Sequence, residues 1–180
     1  MKNLHEIYRN YQSPEGHGDK GTAHSYIDEY QKLLEPYRKN STVLEIGLYM
    51  GESLRMWEEF FIDSDVIGVD ISDGHLTKLI EENTHKIIIG DATNEEILDL
   101  MSDKMFDVII DDGSHRLEHQ VKSFNIFKNR MKPNGIYIIE DIDNIDKTKG
   151  IFENLHNNIQ IIDNRHIKGR YDDVLIVYKF

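Results

Sequence analysis

The sequence predicts an α/β fold: a seven-stranded, mostly parallel sheet with helices on both faces and a C-terminal antiparallel hairpin. Short β-branched runs alternate with longer amphipathic ones, and Gly, Asp, Asn or Pro separates each pair. The last two apolar runs are joined by a connection of about eight residues around Gly169, too short for a parallel crossover.

Taken in order, residues 10–21, NYQSPEGHGDKG, hold glycines and a proline among polar side chains and read as a loop, and a helix is expected over 22–34. Strands follow at 42–46, 66–70, 86–89, 106–110 and 135–140. Helical spacing fills the intervals at 52–61, 76–82, 95–102 and 117–131, so right-handed crossovers should make these five strands parallel. A helix at 147–156 leads into strands at 159–164 and 174–180, which should pair as the hairpin at one sheet edge. Trp57, Phe60 and Phe61 share the apolar face of their helix and read as core, while Tyr171 stays unassigned. Residues 1–21 are thus expected to be an N-terminal loop, either a lid or a loose terminus, and 22–180 one domain.

Composition narrows the partners. With 33 acidic against 21 basic residues the net charge is -12, which would repel a phosphate backbone, so no nucleic acid is expected. No apolar run is long enough to span a bilayer and the first residues lack a signal-peptide core, so no membrane is expected either. The absence of cysteine fits a cytoplasmic protein and leaves only oxygen or imidazole to hold a metal. A homo-oligomer is left open.

Residues 43–53, VLEIGLYMGES, place a buried strand, a glycine turn and a helix start in succession. Gly47 and Gly51 would let a ligand approach the backbone and the helix N-terminus, although a tight strand-to-helix connection needs the same glycines. Asp70 ends the second strand, where a carboxylate can accept from both hydroxyls of a ribose. In IGDAT, Asp91 could accept from an adenine amino group or cap the next helix. Together these features resemble the donor-binding motifs of class I S-adenosylmethionine methyltransferases, which implies a Rossmann-like methyltransferase sheet. The same resemblance puts Glu45, Gly47 and Gly51 at the methionine end of S-adenosyl-L-methionine, Asp70 at the ribose and Asp91 at the adenine, with Asp111 also among the cofactor-binding residues.

FDVIIDDGSHRLEH then delivers Asp111, Asp112 and His115 to the carboxyl end of a strand, and IYIIEDID brings Glu140 and Asp141 to the matching end of the next. Clustered carboxylates need a cation or protons, and their oxygens suit a hard ion such as Mg²⁺ or Mn²⁺. DDGSH followed by ED resembles the metal-dependent sugar O-methyltransferases of macrolide biosynthesis, the macrocin and mycinamicin type, and also the cephalosporin hydroxylase-like group. The resemblance implies Asp112, Glu140 and Asp141 as metal ligands, His115 as general base, and a small hydroxylated acceptor, a sugar or glycoside. It extends to GDKGTAH, whose Asp19, Lys20, Thr22 and His24 would line the site. The macrolide enzymes carry an additional N-terminal portion, so acceptor and assembly transfer least.

His115 could instead cap the following helix or pair with Glu118. His119, one turn on, reads as helix surface, and His17 and His166 carry weaker signals. A hydroxylase-like enzyme on the same fold, or a noncatalytic nucleoside-binding module, remains the alternative.

Overall fold

The central strands are apolar on both sides, so each face of the sheet must be covered. In the computed structural model, which describes residues 1–11 and 18–180, the strands are β1 (Thr42–Ile46), β2 (Asp65–Asp70), β3 (Lys86–Ile89), β4 (Phe106–Asp111), β5 (Met131–Ile139), β6 (Ile159–Asp163) and β7 (Val174–Lys179). His17 lies outside the described residues. The sheet order is β3-β2-β1-β4-β5-β7-β6, with β1 to β5 parallel and β7 antiparallel to both β5 and β6.

The helices are α1 (Leu4–Tyr8), α2 (Ile27–Leu34), α3 (Glu52–Phe60), α4 (Thr77–Glu82), α5 (Leu117–Phe127), α6 (Ile145–Glu153) and α7 (Arg165–Lys168). On one face α1, α2, α3 and α4 pack Leu4, Tyr30, Trp57 and Leu79 against Val43, Val108, Ile136 and Val177. On the other, α5 and α6 pack Phe124 and Phe152 against Leu44, Ile109, Tyr137 and Tyr178. Alternation along β5 shows the division: Ile136 and Ile138 enter the first core, Tyr137 and Ile139 the second. Trp57, Phe60 and Phe61 are buried, as their spacing predicts.

The structure differs from expectation in local ways. The loop expected over 1–21 contains α1, which is capped by reciprocal Asn3 and Glu6 hydrogen bonds and buries Leu4, Ile7 and Tyr8. The expected helix at 22–34 begins only at Ile27, because the preceding residues are held in a turn. Residues Glu95–Met101 form a 3₁₀ rather than an α-helix. Further on, α5 stops at Phe127, and β5 starts at Met131, with a register break opposite Phe106 and Val108 that accommodates Pro133 and Gly135. The connection into β7, expected to be helix-free, contains the single turn α7, ended by Gly169 at φ 74°. No helix among the described residues is long and apolar enough to cross a membrane.

Strand order reverses between β1 and β4, the place where open α/β sheets leave a crevice at their carboxyl ends. Backbone hydrogen bonds continue past the strands there: Gly47 N–H to Val69 O (2.8 Å), Asp112 N–H to Ile46 O (2.8 Å) and Glu140 N–H to Asp111 O (2.9 Å). Gly47 sits at φ 85°, and a β-carbon added to it would lie 2.1 Å from the Asp112 carbonyl oxygen. Gly47→Ala should therefore destabilise the fold by about 2 kcal/mol or more, read from chemical denaturation. An unchanged midpoint would mean that the two turns are not packed as described.

Candidate functional site

A cavity of about 650 Å³ opens along the carboxyl ends of β1, β2 and β4. Its lining falls into three groups: Gly47, Asp70 and Asp91; Asp111, Asp112, His115 and Asp141; and Tyr8, Tyr11, Asp19 and Lys20.

In the first group, Asp70 shapes the glycine turn. Its Oδ2 accepts the N–H groups of Leu48 (2.8 Å) and Tyr49 (3.1 Å), and Oδ1 accepts that of Ser72 (3.0 Å). Carboxylate oxygens with one backbone donor or two keep lone pairs for a further one. Asp91 Oδ1 accepts both the N–H and the hydroxyl of Thr93 at 2.8 Å, and the cap of the following 3₁₀ helix is Asn94. Of the two roles open to Asp91, helix cap is thus the one the structure removes. Gly51, at φ 81°, starts α3 and lies off the cavity wall. Glu45 is also off the wall: it is buried beneath the turn, where Trp57 Nε1 donates to it at 2.9 Å and burial pushes its carboxyl up to about 7.

The second group concentrates acids. Asp111 is buried and accepts from the Tyr137 hydroxyl at 3.2 Å, and desolvation pushes it up to about 7. Among the described residues, Asp112, His115 and Asp141 each offer a ligand atom, all within 4.8 Å of one another. His115 and Asp141 both have positive φ, 56° and 54°, a conformation that costs a non-glycine residue about 1 kcal/mol or more. Such strain persists where the surroundings fix it, and at Asp141 they do. The Tyr26 hydroxyl donates to Asp141 Oδ1 at 2.8 Å, His24 Nδ1 lies 3.3 Å from the same oxygen, and His115 Nδ1 is 3.9 Å from Oδ2. Burial, reinforced by the Asp112 charge, pushes Asp141 up to about 6.

Glu140 is adjacent but engaged elsewhere. Its Oε1 accepts from Lys20 Nζ and from the Tyr30 hydroxyl, both at 2.6 Å, so it stands outside the three converging ligand atoms. Burial, with the Asp112 charge next, holds its carboxyl well above the usual range. Lys20 Nζ also donates to Asp112 Oδ2 at 2.6 Å and so bridges two of the expected ligands. The carboxylate oxygens of Asp112 and Asp141, with Glu140 adjacent, are the hard donors that Mg²⁺ and Mn²⁺ prefer, so the residues present fit such an ion.

The GDKGTAH segment reaches the site as expected, although not with every side chain. Asp19 and Lys20 line the cavity and His24 is buried against Asp141, whereas the Thr22 hydroxyl donates to the Gly18 carbonyl and stabilises the turn. Lys168 of α7 clamps that turn from outside, donating to the carbonyls of Gly21, Thr22 and His24. Sequence reasoning missed Tyr26 and Tyr30, whose spacing reads as a core face, and Gln120, whose amide donates to the Glu140 carbonyl at 3.0 Å. It also placed His119 on a helix surface. That ring lines the cavity, its Nδ1 2.7 Å from the Ser114 hydroxyl.

Comparison with known proteins gives the same picture. The chain is 35% identical over 137 residues to an 8-demethyl-8-alpha-L-rhamnosyl tetracenomycin-C 2'-O-methyltransferase of Streptomyces olivaceus, covering 70% of this chain and 35% of that protein. It is 33% identical over 149 residues to a demethylmacrocin O-methyltransferase of Streptomyces fradiae, covering 77% and 36%. The matches thus span about a third of these curated relatives. Among solved structures, the MycE methyltransferase of the mycinamycin biosynthetic pathway, in complex with Mg, SAH and mycinamycin VI, superposes with a TM-score of 0.75 at 27% identity. That likeness covers 99% of this chain and 54% of MycE. A family profile described as a methyltransferase domain matches residues 38–174, and by that match over most of its length the chain belongs to the methyltransferase-domain family.

Proposed function

We propose that this chain transfers the methyl group of S-adenosyl-L-methionine to a hydroxyl oxygen of a small acceptor, a sugar or glycoside, with Mg²⁺ or Mn²⁺ held by Asp112, Glu140 and Asp141. One observation carries the reading: the glycine turn after β1 and the carboxylates of Asp112 and Asp141, after β4 and β5, line a single cavity, with Glu140 buried next to them. The O-methyltransferase activities of the relatives, and the Mg and SAH in the MycE complex, support it. A net charge of -12 speaks against a phosphate-backbone acceptor.

When bound, the divalent ion would supply Lewis acidity that makes an acceptor hydroxyl easier to deprotonate. The chain's own residues do the rest. His115 is exposed toward the cavity and takes the acceptor proton, with Asp141 beside Nδ1 to orient the ring. Asp70, Asp91 and the turn at Gly47 hold the donor, and Tyr8 and Tyr11 wall the cavity against water. Methyl transfer needs oxygen, carbon and sulfur nearly in line, so positioning is the main contribution of the fold.

His115 also offers a ligand atom to the converging trio, which makes its role separable by experiment. His115→Ala should lower the rate by about 10²- to 10⁴-fold while retaining Mn²⁺ affinity. Loss of Mn²⁺ binding in that variant would make it a ligand and remove it as the base. Chelation should abolish turnover and leave S-adenosylhomocysteine binding intact by calorimetry; loss of both together would contradict separate donor and metal subsites. Because the Asp141 carboxyl, raised to about 6, must lose its proton to hold a cation, Mn²⁺ affinity should rise as pH goes from about 5.5 to about 7.5. A flat profile would place the ion elsewhere.

A further inference from the structure

The buried ammonium of Lys20 has no place in the chemistry above. It donates to Asp112 Oδ2 and to Glu140 Oε1, each at 2.6 Å, and it also feels the buried carboxyl of Glu45. Its side chain is 4% exposed, that of Glu140 2%, so water cannot screen the pair.

A cluster of carboxylates this deeply buried cannot stay ionised without a positive charge beside it. Lys20 supplies one. A divalent ion taking the same carboxylates would meet that ammonium in direct contact, and two cations on shared oxygens repel strongly at low dielectric. The residue rides on the turn before α2, which Lys168 pins from outside and which walls the cavity through Asp19 and Lys20.

We infer that Lys20 is an exchangeable counter-ion: it holds the Asp112 and Glu140 pair together in the metal-free protein and is expelled when a divalent cation enters. The inference rests on the metal reading proposed above. Lys20 thereby lowers metal affinity and protects the empty cluster from its own repulsion, a positioning role distinct from the reaction itself. Occupancy of the metal site is communicated to the cavity wall through the turn that carries it.

Mn²⁺ titration by calorimetry and by electron paramagnetic resonance tests this on the wild-type chain, Lys20→Met, Lys20→Arg and Asp112→Asn. Lys20→Met should bind Mn²⁺ roughly tenfold or more tightly, since a charge-assisted competitor is gone, and Lys20→Arg should stay near wild type. In chelator, Lys20→Met should melt below wild type and gain a larger Mn²⁺-induced rise in Tm. Equal or weaker Mn²⁺ binding by Lys20→Met, or failure of Mn²⁺ to rescue its folding, overturns the inference. If wild type binds Mn²⁺ and Asp112→Asn does not, that failure touches Lys20 alone. A wild type that takes up no Mn²⁺ removes the metal reading and the counter-ion with it.

Discussion

Carboxylates crowded into a low-dielectric crevice repel one another and resent the loss of water. Asp111, Asp112, Glu140 and Asp141 end two neighbouring parallel strands, with Glu45 on the strand beside them, and every other feature of the site answers that crowding. Three devices share the work. Lys20 brings a full positive charge, the hydroxyls of Tyr26, Tyr30 and Tyr137 donate to carboxylate oxygens, and proton affinity rises at Glu45, Asp111 and Asp141. A site that accumulates so much negative potential is costly as a scaffold and useful as a cation receptor.

Support for the acids comes from distant parts of the chain. The turn before α2 is tied to the β6 to β7 connection: Asp173 accepts from Ser25 N–H at 2.9 Å and Asn164 donates to the Ser25 carbonyl at 3.0 Å. Together with the Lys168 clamp, this sets His24 and Tyr26 against Asp141 from behind. The backbone strain at Asp141 is thus held by contacts from both ends of the chain rather than by the local loop.

The parallel strands, the edge hairpin and the gathering of acids at strand ends were legible because they follow from short β-branched runs, short turns and the placing of the acids. The limits are equally physical. Helix α1 is five residues long, less than two turns, so no periodicity could reveal it; its capping residues Asn3 and Glu6 were the available signal. Tyr26 and Tyr30 pack in the core while pointing hydroxyls at acids more than a hundred residues away, and only tertiary structure pairs them. The motif singled out Asp112, Glu140 and Asp141, and the structure brings Asp112 and Asp141 together with His115 while Glu140 is engaged by Lys20 and Tyr30. That Lys20 lies between Asp112 and Glu140 depends on a fold-back no local pattern encodes.

The central claim is that the acids after β4 and β5 share one cation beside the donor turn. A crystal grown with S-adenosylhomocysteine and Mn²⁺, measured for manganese anomalous scattering, tests it directly. The account predicts one peak within coordination distance of Asp112, Glu140 and Asp141, with His115 unligated and Lys20 withdrawn. A peak ligated by His115 in place of Glu140, or no peak in the crevice, would contradict it.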